Sequence, residues 1–200
     1  MRRTYKRINE DFLDSIDQDD YTDGLSMDIV SNVNMLLHGD VPNIDFNLVQ
    51  EPVYKVPNKK ILTELIDLCM ELYGNDCNLN WLDVSGITDM IRLFYFSDFN
   101  GDISKWDVSS VTNMDSMFYN SKFNGVISDW DVSSVTNMNY MFYQSVFNGV
   151  ISDWDVSMVK DMQAMFYHSD FNGDISGWDV SSVTNMDGMF DKSKFNGDIS

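Results

Sequence analysis

The sequence is poor in several residue types, and each shortage narrows the class of protein. It holds two cysteines, two histidines and three prolines in 200 residues. Cys69 and Cys77 have no second Cys or His pair, so we expect no zinc site. His38 and His168 stand in no metal-binding or triad-like motif. We therefore expect no enzyme, no cofactor and no metal.

Basic residues are also scarce, with 13 Lys and Arg against 32 Asp and Glu and a net charge of −19. Such a polyanion repels phosphate backbones and anionic lipid surfaces, so nucleic acid and membrane are not expected partners. No stretch approaches the roughly 18 apolar residues of a membrane span. The basic start, Met1–Arg7, precedes no apolar run, so a secretory signal is not expected. We expect a cytoplasmic or virion-associated protein, with the cell surface as the alternative.

What the sequence has instead is a repeat of 24 residues, here called a coil. Three motifs recur in each coil. Phe-Asn-Gly begins at Phe99, Phe123, Phe147, Phe171 and Phe195. Trp-Asp-Val begins at Trp106, Trp130, Trp154 and Trp178. A Met-x-x-Met-Phe box, the Met box, begins at Met114, Met138, Met162 and Met186, and a degenerate first copy surrounds Met90.

The sequence of each coil predicts one short strand and one short helix. Gly101–Val108 is rich in strand formers and bounded by turn residues, and a bend near Lys105 is needed to bring Ile103 and Val108 to one face. The apolar residues that follow have helical spacing: Val111, Met114, Met117 and Phe118.

A single coil cannot bury its own apolar residues, whereas stacked coils can. The sequence therefore predicts an α/β solenoid, a leucine-rich-repeat-like array over residues 81–200 with about five coils, ending in mid-coil. The asparagines of the Phe-Asn-Gly motifs should form a hydrogen-bonded ladder, and the following glycines should supply turns with positive φ. The ladder residues are Asn100, Asn124, Asn148, Asn172 and Asn196.

The pattern Phe-Asn-Gly-x-Ile-Ser-x-Trp-Asp-Val-Ser-x-Val-Thr-x-Met-x-x-Met-Phe resembles that of the BspA-like leucine-rich-repeat surface-protein family over residues 82–200. That family occurs in bacterial surface proteins and lipoproteins, in some protists and in some viruses. The resemblance implies a right-handed solenoid used for adhesion or protein binding, with no known catalytic residues. The chain departs from surface members because it shows no signal peptide or anchor.

The first eighty residues do not repeat. Residues 1–57 form a non-repetitive segment, in which Ser26–His38 predicts an amphipathic helix ended by Gly39. Residues 58–80 predict a capping helix and its connection to the repeat. Asn58 should cap a helix over Lys59–Tyr73 that ends at Gly74, and this helix should cover the open end of the first coil.

One column of carboxylates is a candidate binding site: Asp107, Asp131, Asp155 and Asp179. Like charges about 5 Å apart repel one another unless each is hydrogen-bonded. Two interpretations stay open. Each aspartate can cap the Ser-x-Val turn that follows it, or the column can form an acidic stripe for a basic partner. The Met and aromatic columns are interpreted as core.

The last half-coil is a candidate assembly edge, formed by Asn196, Asp198 and Ile199. A strand there would offer unpaired backbone groups, which recruit another chain or are blunted by charge. Self-association through this edge, or docking on a larger partner, is therefore expected. Taken together, the sequence predicts a non-enzymatic protein-binding or structural module, such as a component of a phage or virus particle. The alternative is an adhesin-type surface protein whose secretion and anchoring segments lie outside this chain.

Overall fold

A computed structural model of the chain describes residues 54–197, all of which belong to one unit, Phe46–Ser200. The predicted helix Ser26–His38 and the predicted edge residues Asp198 and Ile199 lie outside the described residues. The regular elements of the described range are strand β1 (Tyr54–Lys55), helix α1 (Lys59–Tyr73) and strand β2 (Leu82–Asp83).

Helix α1 begins and ends where its sequence predicts. The Asn58 side chain accepts a hydrogen bond from the Ile61 N–H at 3.1 Å, which satisfies one of the free donors of the first turn. At the other end Gly74 has φ 86°, and its N–H donates to the Met70 carbonyl at 2.9 Å. Glycine adopts this left-handed conformation without steric cost, so the helix stops there.

The apolar side of α1 is buried against the rest of the described unit. The buried residues are Ile61, Leu62, Leu65, Ile66 and Cys69, whereas Tyr73, which the sequence places on the same stripe, is 40% exposed. Lys59 forms an ion pair of 3.1 Å with Asp89 in the first coil. Strand β1 pairs in parallel with β2, with Tyr54 opposite Leu82. The helix and the strand before it thus both contact the first coil.

Residues 24 positions apart lie side by side in the repeat. Parallel bridges link one residue per coil, immediately before each Met box, in the order Asp89, Asn113, Asn137, Asp161 and Asn185. The N–H of Thr136 donates to the carbonyl of Thr112 at 2.9 Å, and neighbouring coils repeat this bond. Neighbouring coils are therefore hydrogen-bonded to one another.

The Met box forms consecutive turns in place of the helix that its spacing predicts. In one turn the Met117 N–H donates to the Met114 carbonyl at 3.1 Å, and Ser116, its third residue, has φ 54°. This combination is typical of a type II turn. The N–H groups of Met114 and Ser116 donate to Asn137 and Asn139 in the next coil, each at 2.9 Å. An α-helix needs those N–H groups internally, so bonding to the neighbouring coil excludes it.

No strand forms over Gly101–Val108, contrary to expectation; Asp102 makes a single parallel bridge with Asn78. The segment does bend near Lys105, as its sequence predicts, and both of its apolar residues are buried. Ser104 and Lys105 form a turn, and the Trp106 N–H donates to the Ile103 carbonyl at 3.2 Å. Ile103 and Val108 are each 1% exposed. The bend therefore lets residues five positions apart face one core.

Aromatic rings fill that core in columns. Phe118 stacks on Phe142 with centroids 5.5 Å apart and planes 3° apart, and Phe123 stacks on Phe147 at 6.3 Å and 3°. The Trp130 indole N–H, which is buried, donates to the Ile103 carbonyl of the preceding coil at 3.1 Å. Burying an indole without a partner would be costly, so this bond both satisfies the tryptophan and ties two coils together.

The predicted asparagine ladder forms, but each of its hydrogen bonds joins a side-chain oxygen to a backbone N–H rather than two side-chain amides. The Asn124 side-chain oxygen accepts from the Asn148 backbone N–H at 2.8 Å, and the same bond recurs along the ladder. The glycines that follow do not have positive φ, contrary to expectation. A Cβ on Gly125 would lie 2.7 Å from the Phe123 ring, so packing against the ring is what requires glycine there.

Candidate functional site

The aspartate column (Asp107, Asp131, Asp155 and Asp179) lies on the surface, with one carboxylate per coil. Each carboxylate accepts a hydrogen bond from the backbone N–H two residues on, at 3.0 to 3.1 Å. Asp131 also accepts from the Ser133 hydroxyl at 2.6 Å. The arrangement is that of an aspartate that stabilises the turn following it. Turn capping, one of the two interpretations, thus accounts for one oxygen of each carboxylate.

Hydrogen bonding favours the charged form of three of these carboxylates, Asp131, Asp155 and Asp179. The Ser133 hydroxyl and N–H lower the pKa of Asp131, and Ser157 and Ser181 do the same for the pKa values of Asp155 and Asp179. The neighbouring Asp155 carboxylate acts in the opposite direction on Asp131, but less strongly. The column is therefore a row of exposed negative charges at neutral pH, which leaves the acidic-stripe interpretation open as well.

Of the three predicted edge residues, Asn196 lies within the described residues. It is exposed, and its N–H donates to the Asn172 side-chain oxygen at 2.7 Å, so it continues the asparagine ladder. Next to it the last described coil is less covered than the others. Met186 is 39% exposed, whereas Met162 at the same position of the preceding coil is 0% exposed.

The structure also brings together a row of aromatic residues that the sequence analysis did not single out. The tyrosine row consists of Tyr95, Tyr119, Tyr143 and Tyr167, each following the phenylalanine of a Met box. Successive ring centroids lie 4.8, 4.4 and 4.7 Å apart. The planes of the last two pairs differ by only 7° and 5°. The row is partly exposed, unlike the phenylalanine columns beside it.

Further side chains contact the row and extend its surface. Phe96, 57% exposed, lies 4.7 Å from Tyr95 and 5.5 Å from Tyr119 by ring centroids. Tyr140 meets Tyr143 edge-on at 5.8 Å. The result is a cluster of aromatic residues on the outside of the repeat.

A cation lies over each end of the row. The Arg92 guanidinium lies 5.3 Å from the centroid of the Tyr95 ring, and the Lys192 ammonium lies 5.2 Å from that of Tyr167. Lys192 also donates a hydrogen bond of 2.7 Å to the Tyr167 hydroxyl, and this bond raises the pKa of Lys192. Such cation–π contacts orient the end rings.

The sequence contains a signal for the tyrosine row, because in three coils a tyrosine directly follows the phenylalanine of the Met box. The phenylalanine of that pair is buried and the tyrosine is partly exposed. Aromatic residues exposed in register are typical of recognition surfaces.

Two further observations concern the same 144 described positions, residues 54–197. They include no group of three or more His, Cys, Asp or Glu side chains placed to hold a metal ion. They also include no helix that is long and apolar enough to cross a membrane.

The hydrogen-bonded coils, the aromatic columns and the repeated surface rows define a repeat protein. A family model described as "Mycoplasma protein of unknown function, DUF285" matches residues 64–168 and 122–200. The chain belongs to this family. The match supports, in coarse terms, the relation to BspA-like repeat proteins that the sequence motifs indicate. No curated protein and no solved structure matches the chain significantly.

Proposed function

We propose that the chain is a non-enzymatic repeat module whose coils form a solenoid and whose outer surface binds another protein. The observation that carries this proposal is the tyrosine row. It is partly exposed, it is held in register by the coils beneath it, and it consists of a residue type enriched at binding surfaces. Tyrosines fixed in this way lose little conformational entropy on binding, which favours affinity.

The non-enzymatic part of the proposal is supported by how the polar side chains are used. Each carboxylate of the aspartate column accepts a hydrogen bond from its own turn. The side-chain oxygens of Asn100, Asn124, Asn148 and Asn172 each accept one from the next coil. These polar side chains thus make the same structural hydrogen bonds from coil to coil. His168 is exposed and lies beside Tyr167, at the coil position of Asn120 and Gln144.

Site-specific photo-crosslinking tests the proposal. A photo-reactive phenylalanine analogue at Tyr143 should crosslink one discrete protein in the native host. The same analogue at Val150, which is 65% exposed on another part of the coil, is the matched control and should not. Crosslinking of the same protein from both positions, or from neither, would argue against a binding surface at the tyrosine row.

The setting of the module is the finer part of the proposal. A structural component of a phage or virus particle and an adhesin on a cell surface both suit a repeat module of this kind. Immunogold labelling distinguishes the two, because the label should decorate purified particles in the first setting and intact cells in the second. Label confined to the cytoplasm would exclude both.

A second candidate role is self-association through the last coil that the structure describes. The observation that favours it is the exposure of Met186, together with the N–H groups of Met186, Gly188 and Phe190, which donate to no acceptor among residues 54–197. The corresponding N–H groups of the preceding coil donate to the coil after it. Light scattering over a concentration series should show a dimer that Met186→Lys abolishes. A monomer at every concentration would contradict this role.

A further inference from the structure

The spacing and chemistry of the tyrosine row allow its occupant to be specified, on the basis of the function proposed above. We propose that the row binds a proline-rich, basic segment of a partner protein in the polyproline II conformation, lying along the row. Five properties of the described residues support this occupant.

The first property is what the row exposes. Because the rings of Tyr119, Tyr143 and Tyr167 are nearly parallel and stacked, each covers the face of the next. Ring edges and hydroxyl groups are therefore the parts of the row available to a ligand. A ligand that needs open ring faces, such as one that stacks flat on each tyrosine, does not suit this surface.

The second property is hydrogen bonding. A polyproline II segment makes no internal hydrogen bonds, so all of its carbonyl groups need outside donors. Tyrosine hydroxyls can donate to them. Burial, the neighbouring Tyr143 and Tyr95, and a hydrogen bond with Tyr143 raise the pKa of Tyr119. Its hydroxyl is therefore protonated at neutral pH, as that of an ordinary tyrosine is.

The third property is spacing. Two steps along the row cover about 9 Å, and one polyproline II turn covers roughly 9.3 Å, since it has three residues with a rise of 3.1 Å. Every third residue of such a segment would therefore meet every second tyrosine in the same geometry. An extended strand repeats its side chains at roughly 6.7 Å, from two residues of about 3.3 to 3.4 Å, and would drift out of register with the row.

The fourth property is the apolar surface beside the row. Phe96, at one end, and Tyr140, against Tyr143, offer ring surface to proline side chains. Polyproline II segments commonly bind on surfaces lined by aromatic residues, because the segment is already ordered before it binds.

The fifth property is charge. The chain carries a net charge of −19, so a basic segment is attracted over long range and an acidic one is repelled. Arg92 and Lys192 lie over the end rings, at Tyr95 and Tyr167. Basic residues of the partner should therefore lie beside the middle of the row or past it. They should not lie over the end rings, which already have a cation over them.

The test uses the full chain and synthetic peptides in isothermal titration calorimetry. The probe contains four repeats of Pro-Pro-Arg, and a peptide of four Gly-Ser-Arg repeats has the same length and charge without the polyproline II conformation. We expect the proline peptide to bind at least tenfold more tightly. Equal binding would mean that charge alone attracts the peptides, and no binding of either would mean that the row takes another ligand; both results would overturn the inference.

Variants locate the site. The double variant Tyr119→Phe/Tyr143→Phe keeps the stacked rings but removes two hydroxyls, and we expect it to weaken the proline peptide several-fold. The matched control Val126→Ala/Val150→Ala truncates side chains that are 64% and 65% exposed elsewhere, and it should bind like the unmodified chain. Loss of binding in the control only, or in neither variant, would overturn the inference. Circular dichroism confirms that both variants remain folded.

The crosslinking experiment at Tyr143 distinguishes failure of this inference from failure of the proposed function. A crosslinked partner without a proline-rich segment at the contact would leave the proposed function standing and would overturn this inference. Crosslinking of a second copy of the chain through the row would overturn both this inference and the proposed binding of another protein there.

Discussion

Glycine at the third position of the Phe-Asn-Gly motif illustrates how a single residue is fixed by its neighbours. The Phe123 ring lies over the Gly125 Cα, so that a Cβ would come within 2.7 Å of it. Backbone conformation does not require glycine there, since φ is not positive. From the sequence alone, positive φ was the natural expectation, because that is the commonest reason for an invariant glycine in a turn.

We predict that Gly125→Ala destabilises the protein by about 1–3 kcal/mol, because the added methyl group forces the buried Phe123 ring to move. Gly177→Ala is the matched control. No atom lies within 4 Å of a Cβ at Gly177, and its φ is not positive, so the change should be neutral or stabilising by about 0.5 kcal/mol. Urea unfolding measures both. Equal effects of the two substitutions would contradict the packing explanation.

The lowered pKa values in the aspartate column predict that the stability of the folded protein depends on pH. Its pKa values are lowered in the folded chain for Asp131, Asp155 and Asp179, whose serines donate to them. A lowered folded pKa contributes stability above the unfolded value of about 3.9, and this contribution is lost as the pH falls through the folded value. Urea midpoints measured from pH 6 to pH 2 should therefore fall at the acid end.

Substitution of these three carboxyls by asparagine should flatten that decline, because the variant has fewer protons to take up on unfolding. Asp98→Asn removes an exposed carboxyl outside the column and is the control for the loss of a surface charge. The explanation fails if the triple variant and the unmodified chain lose stability in parallel between pH 4 and pH 2.

At the scale of elements, α1 was predicted to the residue and the Met box was not. The helix boundaries depend on local signals, a capping Asn58 and a terminating Gly74, and these lie within a few residues of the groups they bond. The Met box has apolar spacing that suits a helix equally well. Its turns depend on hydrogen bonds to a coil 24 residues away, such as Met114 to Asn137, which a local pattern cannot reveal.

The aspartate column and the asparagine ladder were predicted from their spacing, whereas the tyrosine row was not. If the coils stack, a residue type that occupies the same position in every coil necessarily forms a column. Whether that column is buried depends on the path of the turn that carries it. Tyr143 and Phe142 are adjacent in sequence, yet the tyrosine is partly exposed and the phenylalanine is 0% exposed.

The cap of α1 predicts the effect of a single substitution. Asn58→Ala removes the acceptor of the Ile61 N–H and should destabilise the protein by about 1 kcal/mol. Asn58→Ser supplies another acceptor and should be nearly neutral. Thermal unfolding compares the two. If the alanine variant is as stable as the serine variant, α1 does not contribute to the cooperative unfolding of the chain.

At the scale of the whole molecule, the two cysteines lie in and just after the helix: Cys69 is part of α1, and Cys77 lies between α1 and β2. Cys69 and Cys77 are buried, at 4% and 3% exposure, and are not joined by a disulfide. The hydrogen bond with Cys77, together with burial, raises the pKa of the Cys69 thiol. Both cysteines are therefore small buried residues of the core.

The central claim for the whole molecule is the proposed solenoid, in which every coil presents the same bonds to its neighbours. Asn100 accepts from Asn124, and Asn124 in turn accepts from Asn148. If one whole coil were removed, Asn148 would meet Asn100 in the same register. The columns of Phe, Trp and Met side chains would be rejoined in the same way.

The most direct test is the deletion of residues 123–146, one complete coil, compared with the deletion of residues 123–134, half a coil. We predict that the first protein still unfolds cooperatively and keeps the near-ultraviolet circular dichroism of its buried tryptophans. The half-coil deletion should lose both, because it brings surface positions into the core columns. If the complete-coil deletion unfolds as readily as the half-coil deletion, the coils are not interchangeable units and the proposed solenoid is wrong.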